Sequence, residues 1–141
     1  MVERKRVLFV CTHNSARSQM AEALLRHLFG ERYEARSAGT EATRLHPLAV
    51  RAMAELGIDI SGQRSKSVDE LAGERFDCAV TVCDHAREAC PVVPGAAQQL
   101  HWSLPDPSQT EGDEEPRLEA FRSVRDEIRR LVEETFGQGD G

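Results

Sequence analysis

The sequence lacks any apolar run long enough to cross a bilayer. The run behind its basic N-terminal residues stops at Val10, too short for a secretory core segment. Positive charge is not in excess either: 18 Lys and Arg against 24 Asp and Glu leave a net −6, which argues against a general nucleic-acid binder. It also gives no long-range attraction for anions, so an anion site must be local. Three phosphate-handling patterns are missing: Gly-x4-Gly-Lys-Ser/Thr, Gly-x-Gly-x-x-Gly and the Gly-x-Ser-x-Gly elbow. No Cys-x2-Cys pair is present, which weakens a zinc reading. Repeats, low-complexity stretches and an internal domain boundary are absent too. What remains is 40% apolar and 30% charged, the balance of a soluble globule. A chain of 141 residues can bury a core as one domain over 1–141, with a frayed Gly-Gln-Gly-Asp-Gly tail at 137–141. The expectation is a cytosolic monomer with no membrane or nucleic-acid partner.

Periodicity places strands and helices in alternation. Arg6 to Val10 is a short buried strand, followed by a polar turn-like stretch. Ala21, Leu24, Leu25 and Leu28 then repeat at helical spacing up to Gly30. Tyr33 to Gly39 reads as a second strand, and Pro47 opens a second helix that stops at Gly57. Phe76 to Val82 and Gln98 to Trp102 read as strands three and four, and a long helix runs from Pro116 to Phe136. Such alternation predicts an α/β fold: a three-layer, doubly wound sheet of about four parallel strands with helices on both faces. In such sheets the site lies beyond the carboxyl ends of the strands, which gathers Cys11, Cys83 and the loop after Trp102 at one edge.

Cys11 and Arg17 stand five residues apart between a strand and a helix N-terminus. Successive backbone N–H groups in a tight loop form a concave anion nest, and the helix dipole adds positive character. Thr12, His13, Asn14, Ser15, Ala16, Arg17 and Ser18 are therefore the candidate oxyanion-binding residues, with Cys11 aimed at the central atom. Arg17 can grip two oxygens through its planar fork. The nucleophile is the thiolate, whereas an ordinary cysteine ionises near pH ~8.5. The helix terminus supplies only about 0.3–2 kcal/mol toward that anion. The nest, Arg17 and a hydroxyl donor such as Ser18 must supply the rest. Asn14, carrying donors and an acceptor, is suited to bracing the loop.

The run Cys-Thr-His-Asn-Ser-Ala-Arg-Ser-Gln-Met-Ala-Glu resembles the signature of thioredoxin-coupled arsenate reductases, which share their fold with low-molecular-weight protein tyrosine phosphatases. The resemblance runs from Val7 to about Phe136, and the Cys-x5-Arg-Ser loop serves both groups. It implies catalysis without a cofactor or metal, on arsenate, with phosphate or sulfate as mimics. Reducing arsenate requires two electrons, which a thiol pair supplies in becoming a disulfide. By this resemblance Cys83 attacks Cys11 after arsenate has bonded to it, arsenite leaves, and Cys90 attacks Cys83. Thioredoxin then reduces the Cys83–Cys90 pair. Bridged cysteines need α-carbons about 5–6 Å apart, so both pairings demand a rearrangement, expected over residues 84 to 97 as a mobile segment. Cys83, Cys90 and His85 also leave open an inert or zinc-bound arrangement, while Cys78 is expected in the core.

Both related groups have an Asp-Pro after the fourth strand, which makes Asp106 the general acid by resemblance. Phosphatases of this type usually continue with tyrosines. Here Ser108-Gln-Thr follows, and Tyr33 is the sole tyrosine. Two departures remain. Ala16 stands where many relatives have a further Cys. Asn14, Glu22 and Ser37 match three of the residues with which some relatives bind potassium, but Lys66 takes the aspartate's place, so no potassium site is expected. Competing readings are a phosphatase using Cys11, Arg17 and Asp106, and a noncatalytic redox module.

Overall fold

The computed structural model describes residues 4–83, 93 and 95–137. Four strands, β1 (Lys5–Cys11), β2 (Tyr33–Gly39), β3 (Phe76–Thr81) and β4 (Ala96–His101), form one sheet in the order β2-β1-β3-β4. All three pairings are parallel. The helices are α1 (Arg17–Phe29), α2 (Pro47–Ala54) and α3 (Glu114–Phe136). Short 3₁₀ turns occupy Val68–Leu71 and Pro107–Gln109.

The central strand explains why both faces are packed. Along β1, Val7, Phe9 and Cys11 point into the larger core, and Leu8 and Val10 into a smaller one on the opposite face. A strand buried on both sides reads as an unbroken apolar run, as Val-Leu-Phe-Val does. The larger core is closed by α1, α2 and α3 through Met20, Leu24, Leu25, Met53, Phe121 and Ile128. Leu71 of the first 3₁₀ turn closes the smaller core beside Ala38 and Phe76. Tyr33 and Phe136 meet edge to face at 5.0 Å, joining the start of β2 to the end of α3.

Several boundaries move by one or two residues from the periodic pattern. The last helix starts at Glu114 rather than Pro116, because a proline in the first turn removes only an N–H that has no partner in the helix anyway. β4 starts at Ala96, since the pairing of Phe76 with Ala96 extends it past its apolar residues. The second helix ends at Ala54, and the turn after it needs Gly57 at φ 77°, a left-handed conformation that disfavours a Cβ. Among the described residues no helix is long and apolar enough to cross a membrane. The expected frayed tail falls, beyond Gly137, outside the described residues.

The strand order turns back on itself between β1 and β3. The connection from β1 leads to one edge, to β2, while β3 is followed by β4 at the other. At such a switch point the diverging connections leave a crevice beyond the carboxyl ends of the two strands. Cys11 ends β1, and Cys83 lies two residues past β3. Backbone pairing continues beyond the strands, from Val82 N to Val10 O at 2.9 Å and from Leu104 N to Cys83 O at 3.3 Å. Both cysteines and the 102–106 loop therefore share one edge of the sheet.

Candidate active site

The loop from Thr12 to Ala16 has its carbonyls turned outward, and each has an assigned donor. Thr40, Glu41, Thr43 and His46 donate backbone N–H groups to the carbonyls of Cys11, Thr12, His13 and Ser15 at 2.8–3.2 Å. The Asn14 carbonyl accepts from Gln19 Nε2 at 3.0 Å, and that of Ala16 accepts from Met20 N at 2.8 Å. The Asn14 N–H points at Cys11 Sγ at 3.2 Å. Asn14 adopts φ 52°, a left-handed turn that asparagine tolerates better than bulkier residues do. The N-cap residue of α1, Ala16, has no polar side chain to cap the helix. The loop is thus braced from outside, with the Asn14 N–H turned inward to the sulfur.

Cys11 is buried, and its sulfur lies 2.8 Å from Ser18 Oγ. The direction of that bond follows from its neighbours. The Lys66 backbone N–H donates to Asn14 Oδ1 at 2.8 Å, which turns Asn14 Nδ2 toward Ser18 Oγ at 2.7 Å. Ser18 thus accepts from Asn14 and has its single proton left for the sulfur.

Arg17 is 3% exposed, an uncommon burial for an arginine. One guanidinium nitrogen donates to the Leu104 carbonyl at 3.1 Å, and another lies 3.7 Å from Asp106 Oδ2. The other carboxylate oxygen of Asp106 accepts from Ser108 N at 2.9 Å and Ser108 Oγ at 2.7 Å. Asp106 so caps the 3₁₀ turn with Oδ1 and turns Oδ2 toward the loop. Thr12, His13 and Ser15 are half-buried along the rim.

Cys11, Cys78 and Cys83 are buried thiols with no disulfide among them. Cys78 belongs to the larger core, where burial and then the charge of Asp77 push its thiol up from the usual value. Cys90 and most of the segment expected to rearrange, residues 84–92 and 94, lie outside the described residues, as does His85. Among the described residues no cluster of three His, Cys, Asp or Glu could hold a metal ion. Lys66 reaches 3.8 Å from Glu22 Oε1, which also accepts from Ser37 Oγ at 2.5 Å, and Arg26 pairs with the other Glu22 oxygen. Burial pulls the Lys66 ammonium below the ordinary lysine value, against the attraction of Glu22.

Three contributors were not legible as site residues. Gly39 pairs with Cys11 in the sheet, and a Cβ there would meet Thr12 O at 2.6 Å and Asn14 N at 2.8 Å. A glycine ending a strand is the signal of such an approach. The strip from Thr40 to His46 carries no residue signal, because it acts through its backbone. Gln19, fully buried, was visible only as part of the quoted signature.

The sequence matches, over residues 6–138, the family described as low molecular weight phosphotyrosine protein phosphatase, and the chain belongs to that family. Within it, the chain is 42% identical over 137 residues to the arsenate reductase of Halalkalibacterium halodurans, covering 97% of this chain and 98% of that protein. A solved arsenate reductase in the phosphate-binding state superposes with a TM-score of 0.82 at 34% identity, over 95% of this chain and 98% of that one. A thioredoxin-dependent arsenate reductase of Corynebacterium glutamicum aligns with a TM-score of 0.63 at 32% identity, covering 93% of this chain and 61% of that one.

Proposed function

We propose that the chain reduces arsenate to arsenite by a thiol relay in the cytoplasm, as a monomer, in arsenic detoxification. The observation that carries this reading is a second buried thiol, Cys83, two residues past the strand that pairs with the nucleophile's own. Hydrolysis of a phosphate ester needs no such thiol, whereas delivering an electron pair does. The similarity to proteins named arsenate reductase supports it, and the name of the Corynebacterium relative supports thioredoxin as the donor.

In the relay, arsenate settles on the loop N–H groups and in the fork of Arg17. The Cys11 thiolate attacks arsenic, and an oxygen leaves as water with a proton from Asp106 Oδ2. The Cys83 thiol, giving up its proton, attacks the Cys11 sulfur. The sulfur–arsenic bond breaks with its electron pair going to arsenic, and arsenite departs from a Cys11–Cys83 disulfide. Cys90 then attacks Cys83 and releases the Cys11 thiolate, and the dithiol of thioredoxin reduces the Cys83–Cys90 bond.

The decisive experiment is arsenate reduction coupled to a thioredoxin system, on wild type and on the Cys11→Ser, Cys83→Ser and Cys90→Ser variants. Each single variant is expected to abolish multiple turnover. A Cys83→Ser or Cys90→Ser protein reducing arsenate at the wild-type rate would overturn the relay. The facing of Arg17 and Asp106 also fits a low-molecular-weight phosphatase, the second reading. It would be favoured if aryl phosphate hydrolysis were fast and indifferent to both substitutions while arsenate went unreduced.

A further inference from the structure

Gln19 lies at the third position of α1, its side chain sealed beneath the anion loop. Its Nε2 is surrounded by three oxygens: the Asn14 carbonyl at 3.0 Å, Asn14 Oδ1 at 3.1 Å and the Arg64 carbonyl at 2.9 Å. Two of these are main-chain carbonyls, which only accept, so the nitrogen must face them. Its Oε1 in turn accepts from Gln63 Nε2 at 2.7 Å. The amide is therefore held in one orientation from both ends.

We propose that Gln19 is a positioning residue for the nucleophile: its amide fixes the Asn14 side chain and the 64–66 strip together, and so commits the Ser18 proton to the Cys11 sulfur. The inference rests on the reading of Cys11 as the nucleophile. Asn14 Oδ1 receives Gln19 Nε2 on one side and the Lys66 N–H on the other. Gln19 also ties down the Arg64 carbonyl, two residues from the Lys66 N–H. With Oδ1 so occupied, Nδ2 can only point to Ser18 Oγ, and the hydroxyl is left to donate to sulfur. Every donor in the series points toward Cys11. If Asn14 turned over, Ser18 would spend its proton on the Asn14 oxygen, and the thiolate would lose a donor. The Asn14 carbonyl, held by the same amide, would lose its partner as well.

The prediction is read from the pH dependence of Cys11 alkylation by iodoacetamide, resolved by peptide mass spectrometry on the intact chain with all its cysteines. Gln19→Met keeps the length of the side chain and removes both amide groups. The midpoint of the alkylation profile is expected to rise by about one pH unit, a roughly tenfold smaller thiolate fraction below the midpoint, as loss of about one hydrogen bond's net worth implies. Phosphate affinity by calorimetry should stay within about twofold, because the nest donors are main-chain N–H groups held by the Thr40–His46 strip. Gln63→Ala, which releases the far end of the Gln19 amide, should shift the midpoint the same way by less, and it decides the matter if the Met variant does not fold. An unmoved midpoint with only a lower melting temperature would overturn the proposal. So would a shift accompanied by lost phosphate binding, since that is collapse of the loop. The measurement needs no arsenate. A protein that shows the shift yet reduces no arsenate keeps the role of Gln19 and loses the reductase reading. One that reduces arsenate with an unmoved profile does the reverse.

Discussion

Gly39→Ala is the sharpest perturbation this site offers. Gly39 needs no left-handed backbone; what it lacks is room. A Cβ there would sit 2.6 Å from Thr12 O, 2.8 Å from Asn14 N and 3.0 Å from Asn14 Cβ, where ordinary contact begins near 3.4 Å. The loop must then retreat by about 0.8 Å, the difference between 3.4 and 2.6 Å. It cannot do so freely, because the Thr12 and His13 carbonyls are tied to Glu41 and Thr43 a few residues along the same segment. Overpacking of this kind costs about 1–3 kcal/mol. For a domain of this size that lowers the melting temperature by roughly 3–12 °C. Function should suffer more. A hydrogen bond stays good over only ~0.5 Å, and a misplacement near 1 Å costs about 100-fold in rate. Differential scanning calorimetry and arsenate turnover read the two effects. Gly57→Ala is the control: its φ of 77° brings strain of about 1–2 kcal/mol, and nothing lies within 4 Å of the added Cβ. That variant should lose stability and keep turnover. Equal turnover in the two alanine variants would refute the close-approach argument.

Asp106→Asn should lower kcat by roughly 10²–10⁴-fold, since the amide still accepts from Ser108 but carries no acidic proton; steady-state kinetics at saturating arsenate checks it. Lys66→Ala should leave Glu22 and Ser37 facing an empty space, lowering the melting temperature in sodium-free choline buffer; added potassium should restore part of it, while wild type ignores the salt. Hydrogen bonds from Arg122, and then Arg125, hold the Glu55 carboxyl at about 2 against an ordinary 4.5. Its contribution is therefore complete above pH 4.5 and is lost as the pH falls toward 2, so the melting-temperature gap between wild type and Glu55→Gln should narrow across that window. Burial, and then the charge of Arg117, lower the His46 imidazole below 6.5, and its Nδ1 accepts from Leu48 N at 3.1 Å to cap α2. The native state binds fewer protons there than the unfolded chain, so stability falls as pH drops below 6.5; His46→Asn, capping without titrating, should flatten that slope in thermal melts.

Much of the fold could be read in advance where local pattern and global packing agree. Arg6 to Val10 reads as a buried strand, and Leu118, Phe121, Val124 and Ile128 mark one helical face. The residues expected to carry the chemistry, Cys11, Arg17 and Ser18, sit close in sequence around one loop, and the structure places Ser18 Oγ 2.8 Å from the Cys11 sulfur. The rest depended on contacts across long separations. Thr40 to His46 supports the loop through main-chain N–H groups, which every residue but proline possesses, so no residue type betrays it. Gln19 gains its meaning only from Asn14, Gln63 and Arg64, brought together by the packing of 63–66 beneath α1. The expected pairing of Cys90 concerns residues outside those described.

Because main-chain bonds from Thr40, Glu41, Thr43 and His46 hold the loop, the form of the cradle is written into backbone shape. Thr12, His13 and Ser15 stand half-open at its lip. Exchanging them would alter what a visitor meets on the way in while leaving untouched how firmly it is held once seated. A designer seeking a different oxyanion, or a bulkier ester of the same one, should begin with those three positions and leave the floor alone.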